Sequence, residues 1–364
     1  MPSRYPAFRE GRVVGDRTSG FPMFFRKKRQ RIITSDPFAL MEHLVTSELS
    51  SAQRSEALAY VEQASDFYDA ASAPRLGSKP LLYYYSFLNL EKVLLLLRGV
   101  EIPTAARHGI SDPRANIRER FRLEGQNILI QNRAHDHSQL FPEFLIELGG
   151  TISSDRTITF LNVVAQIPSV HRTYSQVASA KSQFIPVNRV ELVCRDSYAW
   201  ARIVLTPQSD KEREAIRGWQ GMPCSAPVSR VASPNIGEIW FETDQRRARG
   251  QGVTPAFAQL AAALRGMQLS TILTGGGYRH YISLADQASF LPPLAAATAA
   301  VFYLGSITRY KPADFDKIRA GKYGWLCEEL LATLPLQILY VFASEMAGVD
   351  VVKPLAVVRG QAGS

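Results

Sequence analysis

The sequence predicts an α+β fold, in which a mainly α-helical bundle carries a central antiparallel β region. Helical periodicity dominates the first part of the chain, short runs rich in β-branched and aromatic residues begin at Thr151, and long apolar helical patterns return near the C-terminus. This order predicts a basic N-terminal arm, a helical region, an antiparallel β region, and C-terminal helices that pack on the first helices. The expected bounds are residues 1–34, 35–150, 151–285 and 286–364.

The N-terminal arm carries most of the net charge. Residues 1–31 hold nine basic and two acidic side chains, so this segment contributes +7 of the formal +9. Its densest part is FFRKKRQR at residues 24–31, where cations stand beside two phenylalanines, a pattern that suits phosphate contacts and base stacking. A solvated arm that packs Phe24 and Phe25 on its own domain would explain the same composition. The candidate nucleic-acid-binding residues are Arg26, Lys27, Lys28, Arg29 and Arg31.

Two helices are expected after the arm. In SDPF at residues 35–38, Asp36 is a predicted N-cap and Pro37 takes the first helical position. In the segment SSAQRSEALAYVEQASDFYDAA at residues 50–71, apolar residues from Ala57 to Ala71 recur with a helical period.

The stretch KPLLYYYSFLNLEKVLLLLRG at residues 79–99 predicts a helix that is apolar nearly all round. Its apolar run, from Leu81 to Leu97, is shorter than the roughly 20 residues that span a bilayer and has Glu91 and Lys92 near its middle, so we predict a central core helix and no membrane span. Tyr85, Asn89 and Lys92 fall on one stripe of this helix. That polar stripe is either satisfied internally or lines a cavity, where its three residues would bind a ligand.

The β region is predicted from four short runs: TITFLNVV, RVELVC, YAWARIVLTP and EIWFETD. One short helix interrupts them, because Ser209 and Glu212 have the spacing of a capping box. Residues 270–284 predict a hairpin with its turn at the glycine triplet. The chain then returns to helix at residues 292–312 and 325–348, the last helix being bent at Pro335 and ended by Gly348.

Three residues are candidates for catalysis. His108 lies in HGISD just after the apolar helix, Gly109 frees the backbone there, and Asp112 has the spacing to orient the imidazole. Arg309 ends an alanine-rich helix on the face of Phe302 and Gly305, where it could stabilise an anion. A loop histidine that caps a helix end, and an arginine that complements a helix dipole, would explain the same residues. The sequence contains no nucleophile elbow, zinc-protease, Walker or dinucleotide motif, so no cofactor and no metal is predicted.

The cellular setting is predicted from the cysteines and the N-terminus. Cys194, Cys224 and Cys327 are widely spaced and odd in number, which predicts reduced thiols. The N-terminus has arginines but no apolar segment of the kind that a signal peptide requires. We therefore predict a cytoplasmic protein that does not associate with a membrane.

Several segments in a fixed order carry a resemblance to a known family. KPLLYYYSFLNLEKVLLLLRG, HGISD, GSITRYKP and the final ASEMAGVDVVKP resemble the YaaC-like family of bacterial proteins over most of the chain. The resemblance implies a bacterial cytoplasmic setting and specifies no activity.

The tyrosine-rich helix followed by His-Gly also looks like the core of HEPN domains, helical bundles that include ribonucleases of toxin and phage-defence systems. Their catalytic signature is an Arg followed by a His after four to six intervening residues. None of the six histidines in this chain has an Arg at that spacing. The HEPN resemblance therefore implies a nucleic-acid-binding relative without the catalytic pair.

Two functional hypotheses follow. The first is a nucleic-acid-associated or partner-binding protein, with a defence or toxin-like system as one setting. In it the arm contacts phosphates and the helical body offers a surface to a protein partner or to a second copy. The second is an enzyme, a nuclease or another hydrolase, with a site around His108, Lys92 and Arg309. Convergence of Tyr85, Asn89, Lys92, His108 and Arg309 on one cavity would favour the enzyme.

Overall fold

A computed structural model confirms the predicted α+β class. It describes residues 31–72, 77–113, 121–132, 139–195, 198–247, 253–274 and 277–354, together with three short N-terminal strands. The helices in this part of the chain are α1 Pro37–Glu48, α2 Ser51–Ser72, α3 Lys79–Leu97, α4 Leu140–Glu147, α5 Phe160–Ala165, α6 His171–Ala178, α7 Asp210–Gln220, α8 Val253–Gly266, α9 Pro293–Tyr310, α10 Pro312–Ala320 and α11 Gly324–Ala347.

The strands form several small sheets, and nearly all of their pairings are antiparallel, as predicted. The strands are β1 Phe8–Arg9, β2 Arg12–Val13, β3 Arg17–Gly20, β4 Ile32–Ile33, β5 Ile110–Ser111, β6 Asn127–Ile130, β7 Arg156–Thr159, β8 Phe184–Val187, β9 Arg189–Arg195, β10 Tyr198–Leu205, β11 Val228–Val231, β12 Ile239–Thr243, β13 Arg246–Arg247, β14 Leu269–Thr274, β15 Gly277–Ser283 and β16 Val351–Val352. The largest sheet has the order β11-β12-β10-β9-β3, with β13 also paired to β10. A second has the order β14-β15-β8, and a third the order β5-β6-β7.

Capping explains where the predicted helices begin and end. The Asp36 side chain accepts a hydrogen bond from the amide of Ala39 and begins α1, as predicted. The Ser209 hydroxyl accepts from the amide of Glu212 and begins α7. Gly348 takes a left-handed conformation, with φ of +64°, and ends α11.

The helical core is built around α3, which is buried on most of its surface, as its composition predicts. Phe87 of α3 packs near Phe342 of α11, whose ring stacks on Phe144 of α4. This cluster draws its members from both ends of the chain. The C-terminal helices therefore complete the bundle that the first helices begin.

The β region has its own core. Trp219 of α7 packs edge-on against Phe241 of β12, and α8 adds Leu264 to the same cluster. One buried ionic group joins this core to the helical one. The carboxylate of Glu345 in α11 forms two ion pairs. Its Oε2 atom lies 3.2 Å from Nη2 of Arg98, just beyond α3, and its Oε1 atom lies 3.0 Å from Nη2 of Arg265 in α8. Since all three elements meet at one carboxylate, the β region is packed on the helical body.

The prediction of a strand over TITFLNVV was wrong in its second half. The strand β7 stops at Thr159, whose hydroxyl accepts a hydrogen bond from the amide of Asn162 and begins α5. Phe160 and Val163 of that helix are buried in the helical core. Core burial there outweighs the β preference of branched residues. The helices α6 and α8 were also missed, so more than one helix interrupts the predicted β region.

The described part of the basic arm is tied to the folded body. Strand β3 pairs antiparallel with β9, and β4 pairs parallel with β16 near the C-terminus. Arg31 Nη2 lies 3.5 Å from Asp350 Oδ2, in a half-exposed ion pair. The other four candidate residues of the arm, Arg26, Lys27, Lys28 and Arg29, lie outside the described residues.

One described helix, α11, is long and apolar enough to cross a bilayer. Its most apolar window is 72% buried inside the protein. A helix surrounded by protein in this way is typical of the core of a folded domain. The helix α3 does not meet the same criteria, which agrees with its prediction as a core helix.

Candidate functional site

A cavity of about 400 Å³ lies between α3, α9 and the segment from His108 to Asp112. It combines aromatic rings, cationic side chains and one carboxylate. Its lining residues are Leu81, Tyr84, Tyr85, His108, Ile110, Ser111, Asp112, Phe302, Gly305, Ser306, Arg309, Tyr310 and Lys311.

Backbone contacts hold the His108 segment at the cavity. The carbonyl of His108 accepts a hydrogen bond from the amide of Phe141 at 3.0 Å, in the first turn of α4. Gly109 follows with φ of +71°, and a Cβ there would lie 2.4 Å from Pro142 Cδ. Its own carbonyl accepts from the amide of Gln131. His108 therefore caps a helix with its backbone, as one of the two alternatives for this residue expects, while its side chain lines the cavity.

The His108 ring is hydrogen-bonded to the central helix. Its Nδ1 atom lies 2.7 Å from the hydroxyl of Tyr84. Although the residue as a whole is exposed to solvent, desolvation of the ring lowers the pKa of His108, and the nearby cations Lys92 and Arg309 lower it further. Burial raises the pKa of Tyr84, which keeps the phenol neutral. The phenol of Tyr84 and the imidazole of His108 are thus both neutral at neutral pH. A neutral imidazole can accept a proton from a bound ligand.

Arg309 reaches the cavity from the last turn of α9. Its Nη1 atom donates a hydrogen bond to the hydroxyl of Tyr85 at 2.8 Å, and its guanidinium lies 5.0 Å from the ring centre of Tyr310. The helix comes close to α3 because of Gly305, where a Cβ would lie 3.2 Å from the carbonyl oxygen of Pro80. Lys311 adds a second cation at the junction of α9 and α10.

Four of the six predicted catalytic and ligand-binding residues line this cavity: Tyr85, His108, Asp112 and Arg309. Asn89 and Lys92 do not. The amide of Asn89 lies 3.4 Å from Gln63 Oε1, and the ammonium of Lys92 lies 4.4 Å from the ring centre of Tyr60. Both partners belong to α2, so most of the predicted polar stripe is satisfied between two helices.

Sequence reasoning missed Tyr84, Tyr310 and Lys311 as cavity residues. Two signals in the sequence point toward them. Tyr84 stands in the tyrosine triplet of α3, next to the predicted Tyr85, and Tyr310 and Lys311 directly follow Arg309. The helical face that joins Phe302, Gly305 and Arg309 was recognised, and it forms one wall of the cavity.

Glu91 lies away from the cavity, on the side of α3 that faces α9. Burial raises the pKa of this carboxyl to about 8, although a hydrogen bond with Thr298 and the charge of Lys92 oppose the shift. A carboxyl with a raised pKa binds its proton more tightly in the folded chain than in the unfolded one. Its contribution to stability is therefore complete below its ordinary pKa near 4.5 and is lost as the pH rises through about 8.

We expect Glu91→Gln to remove this pH dependence. Because the amide is neutral at every pH, the melting temperature of the variant should exceed that of the wild type by several degrees at pH 9 and nearly equal it at pH 5. Thermal unfolding followed by circular dichroism at both pH values measures this. Glu328→Gln, at an exposed position of α11, serves as the control. An equal melting temperature of Glu91→Gln and wild type at pH 9 would contradict the prediction.

Among the described residues, no group of three or more His, Cys, Asp or Glu side chains is arranged to hold a metal ion. Cys194, Cys224 and Cys327 are all buried.

Comparison with known proteins identifies one family. The chain matches the family described as "YaaC-like Protein" over residues 23–346, which include every residue that lines the cavity. Comparisons with the curated proteins and with the solved structures gave no match. Since the match spans most of the 364 residues, the chain belongs to the YaaC-like protein family.

Proposed function

We propose that this YaaC-like protein is a nucleic-acid-associated binding protein and that its cavity receives a phosphate group of the nucleic acid. One observation carries the proposal, namely the grouping of His108, Arg309 and Lys311 with four aromatic rings around one cavity. Cations supply the phosphate contact, and aromatic rings supply stacking that any base can use.

The arrangement of Arg309 supports an anionic ligand. Its hydrogen bond to Tyr85 uses one of the five N–H donors of a guanidinium and holds the group in place. The side chain is exposed, and no carboxylate among the described residues lies within ion-pair distance of it. A phosphate would supply the missing counter-charge through a charge-assisted hydrogen bond.

The experiment compares the affinity of the full chain for single-stranded RNA and DNA by fluorescence anisotropy at several salt concentrations. Arg309→Met and Lys311→Met should each weaken binding, by about tenfold or more for Arg309, because a hydrogen bond to a charged group contributes about 1.5–3 kcal/mol. Each should also reduce the magnitude of the salt slope by about 0.7. The control Lys181→Met removes an equal charge at an exposed position that does not line the cavity.

A second set of variants tests the arm. Because β3 pairs with β9, deleting residues 1–31 would remove a strand of the sheet. Replacing Arg26, Lys27, Lys28 and Arg29 with Gln leaves β3 in place. If the arm contributes, affinity and salt slope should fall in this variant as well. Unchanged binding in both the arm variant and the cavity variants would refute the proposal.

A hydrolase is the second candidate, and the hydrogen bond between Tyr84 and His108 favours it. A neutral imidazole held beside Arg309 could act as a general base next to a bound phosphodiester. We expect any RNA cleavage by the full chain to be lost in His108→Gln while RNA binding is retained. Absence of turnover by the wild type on RNA and on a chromogenic phosphodiester would exclude this candidate.

Association with a protein partner or a second copy remains part of the proposal. Trp325 and Leu336 are exposed on α11, a helix that is otherwise largely buried. Light scattering of the full chain, compared with a Trp325→Ser variant, tests whether this surface mediates self-association.

A further inference from the structure

We infer that the ligand of the cavity is a single ribonucleotide unit with a monophosphate, either free or at the end of a strand, and not an internal segment of a strand. The inference rests on the proposed function, since it specifies what the same cavity binds. Three properties of the cavity support it: its closed floor, the distribution of its charges, and the place of its carboxylate.

The floor of the cavity is closed by helix packing. At Gly305 the backbone of α9 lies against α3 so closely that a Cβ would be 3.2 Å from the carbonyl oxygen of Pro80 and 3.3 Å from the Cα of Leu81. A strand cannot pass between these two helices. The volume of about 400 Å³ lies in the range of about 300–1,000 Å³ that is typical of small-molecule sites. An open cavity of this size with a closed floor suits one nucleotide.

The cations mark the place of the phosphate. Arg309 and Lys311 are close in sequence, at the end of α9 and the start of the next helix, and both are exposed. A terminal monophosphate carries about −1.5 to −2 charges near neutral pH, more than a phosphodiester. Two adjacent cations therefore match a terminal phosphate better than one linkage within a strand.

Asp112 belongs to a different wall of the cavity, on the segment that follows His108. A carboxylate repels phosphate but accepts hydrogen bonds from the hydroxyl groups of ribose, as acidic residues do in dinucleotide sites. Ser111 and Ser306 add hydroxyl groups to the lining, while Phe302 and Tyr310 offer ring surfaces to a base. The cavity thus presents a complementary group for each of the three parts of a ribonucleotide.

Isothermal titration calorimetry of the full chain tests this with AMP, GMP, CMP and UMP, each titrated singly. Adenosine, dAMP and inorganic phosphate isolate the contributions of the phosphate, the 2′-hydroxyl and the nucleoside. At least one ribonucleoside monophosphate should bind. We expect Arg309→Met to weaken the binding of AMP about tenfold or more, while the affinity for adenosine stays nearly unchanged. Asp112→Asn should weaken the binding of AMP more than the binding of dAMP, and Lys181→Met should change neither affinity.

Competition with RNA oligonucleotides separates a free nucleotide from a strand end. Two results together would support a strand end as the ligand. The monophosphate displaces a 5′- or 3′-phosphorylated oligonucleotide, and an unphosphorylated oligonucleotide binds more weakly than the phosphorylated one. Binding of the monophosphate with no effect of terminal phosphorylation supports a free nucleotide. If oligonucleotides bind through Arg309 and no monophosphate binds or competes, the inference is overturned while the proposed function stands. If neither class of ligand binds, both are overturned.

Discussion

Gly109→Ala should destabilise the protein by about 2–4 kcal/mol and remove His108 from the cavity, which is the largest effect we expect from a single methyl group. The backbone at Gly109 has φ of +71°, a conformation that costs an alanine about 1 kcal/mol or more. The added Cβ would also lie 2.4 Å from Pro142 Cδ, and overpacking of this kind typically costs a further 1–3 kcal/mol or so. Urea unfolding measures the loss in free energy of unfolding.

The matched control is Gly99→Ala. Gly99 has φ of +78°, yet a Cβ there would meet no atom within 4 Å. Gly99→Ala should therefore lose only the free energy that the backbone strain costs, about 1 kcal/mol, and the ligand affinity of its cavity should be unchanged. If the two variants lose the same stability, the contact with Pro142 does not hold the His108 segment in place.

Leu95→Ala should destabilise the protein by about 2–5 kcal/mol, the range for large-to-small changes at fully buried positions. Leu95 has 0% of its surface exposed and packs with Leu88 and Leu140. Leu140 is the first residue of α4, and the amide of the next residue, Phe141, donates a hydrogen bond to the carbonyl of His108. A cavity at Leu95 should therefore also loosen the candidate site, with weaker ligand binding as a second readout.

Leu336→Ala is the control for this change, because it removes the same atoms from a side chain that is 40% exposed on α11. We expect it to cost less than about 1 kcal/mol. A loss below about 0.5 kcal/mol for Leu95→Ala would mean that α3 is not surrounded by packed neighbours as described.

Local patterns were sufficient for α1–α3, α7, α9 and α11 and for the strands β9, β10, β12, β14 and β15, but not for α5, α6 and α8. The N-cap at Asp36, the capping box at Ser209 and the glycine that ends α11 act through atoms within a few residues, so they can be recognised in a single sequence. The run TITFLNVV could not be assigned in this way. Its β-branched residues favour a strand, while burial of Phe160 in the helical core favours a helix, and only the folded chain settles that competition.

The candidate site was predicted in part for the same reason. His108, Asp112 and Arg309 were identified by residue type and by their place next to predicted helices, but their proximity depends on the packing of α9 against α3 at Gly305. The stripe of Tyr85, Asn89 and Lys92 shows the limit of helical periodicity. It correctly groups residues on one face, but the neighbouring helix decides whether they meet solvent or protein, and α2 covers two of the three.

The sequence by itself therefore determined the α+β class, the central position of α3, the capped ends of α1, α7 and α11 and the basic character of the arm, because these depend on composition and on short-range geometry. Only the tertiary structure decided which polar residues share a cavity and which are satisfied within the core. It also decided that Arg98, Arg265 and Glu345 join the two hydrophobic cores, although they are far apart in the chain. Contacts of this kind are set by how whole elements pack, and no local pattern encodes them.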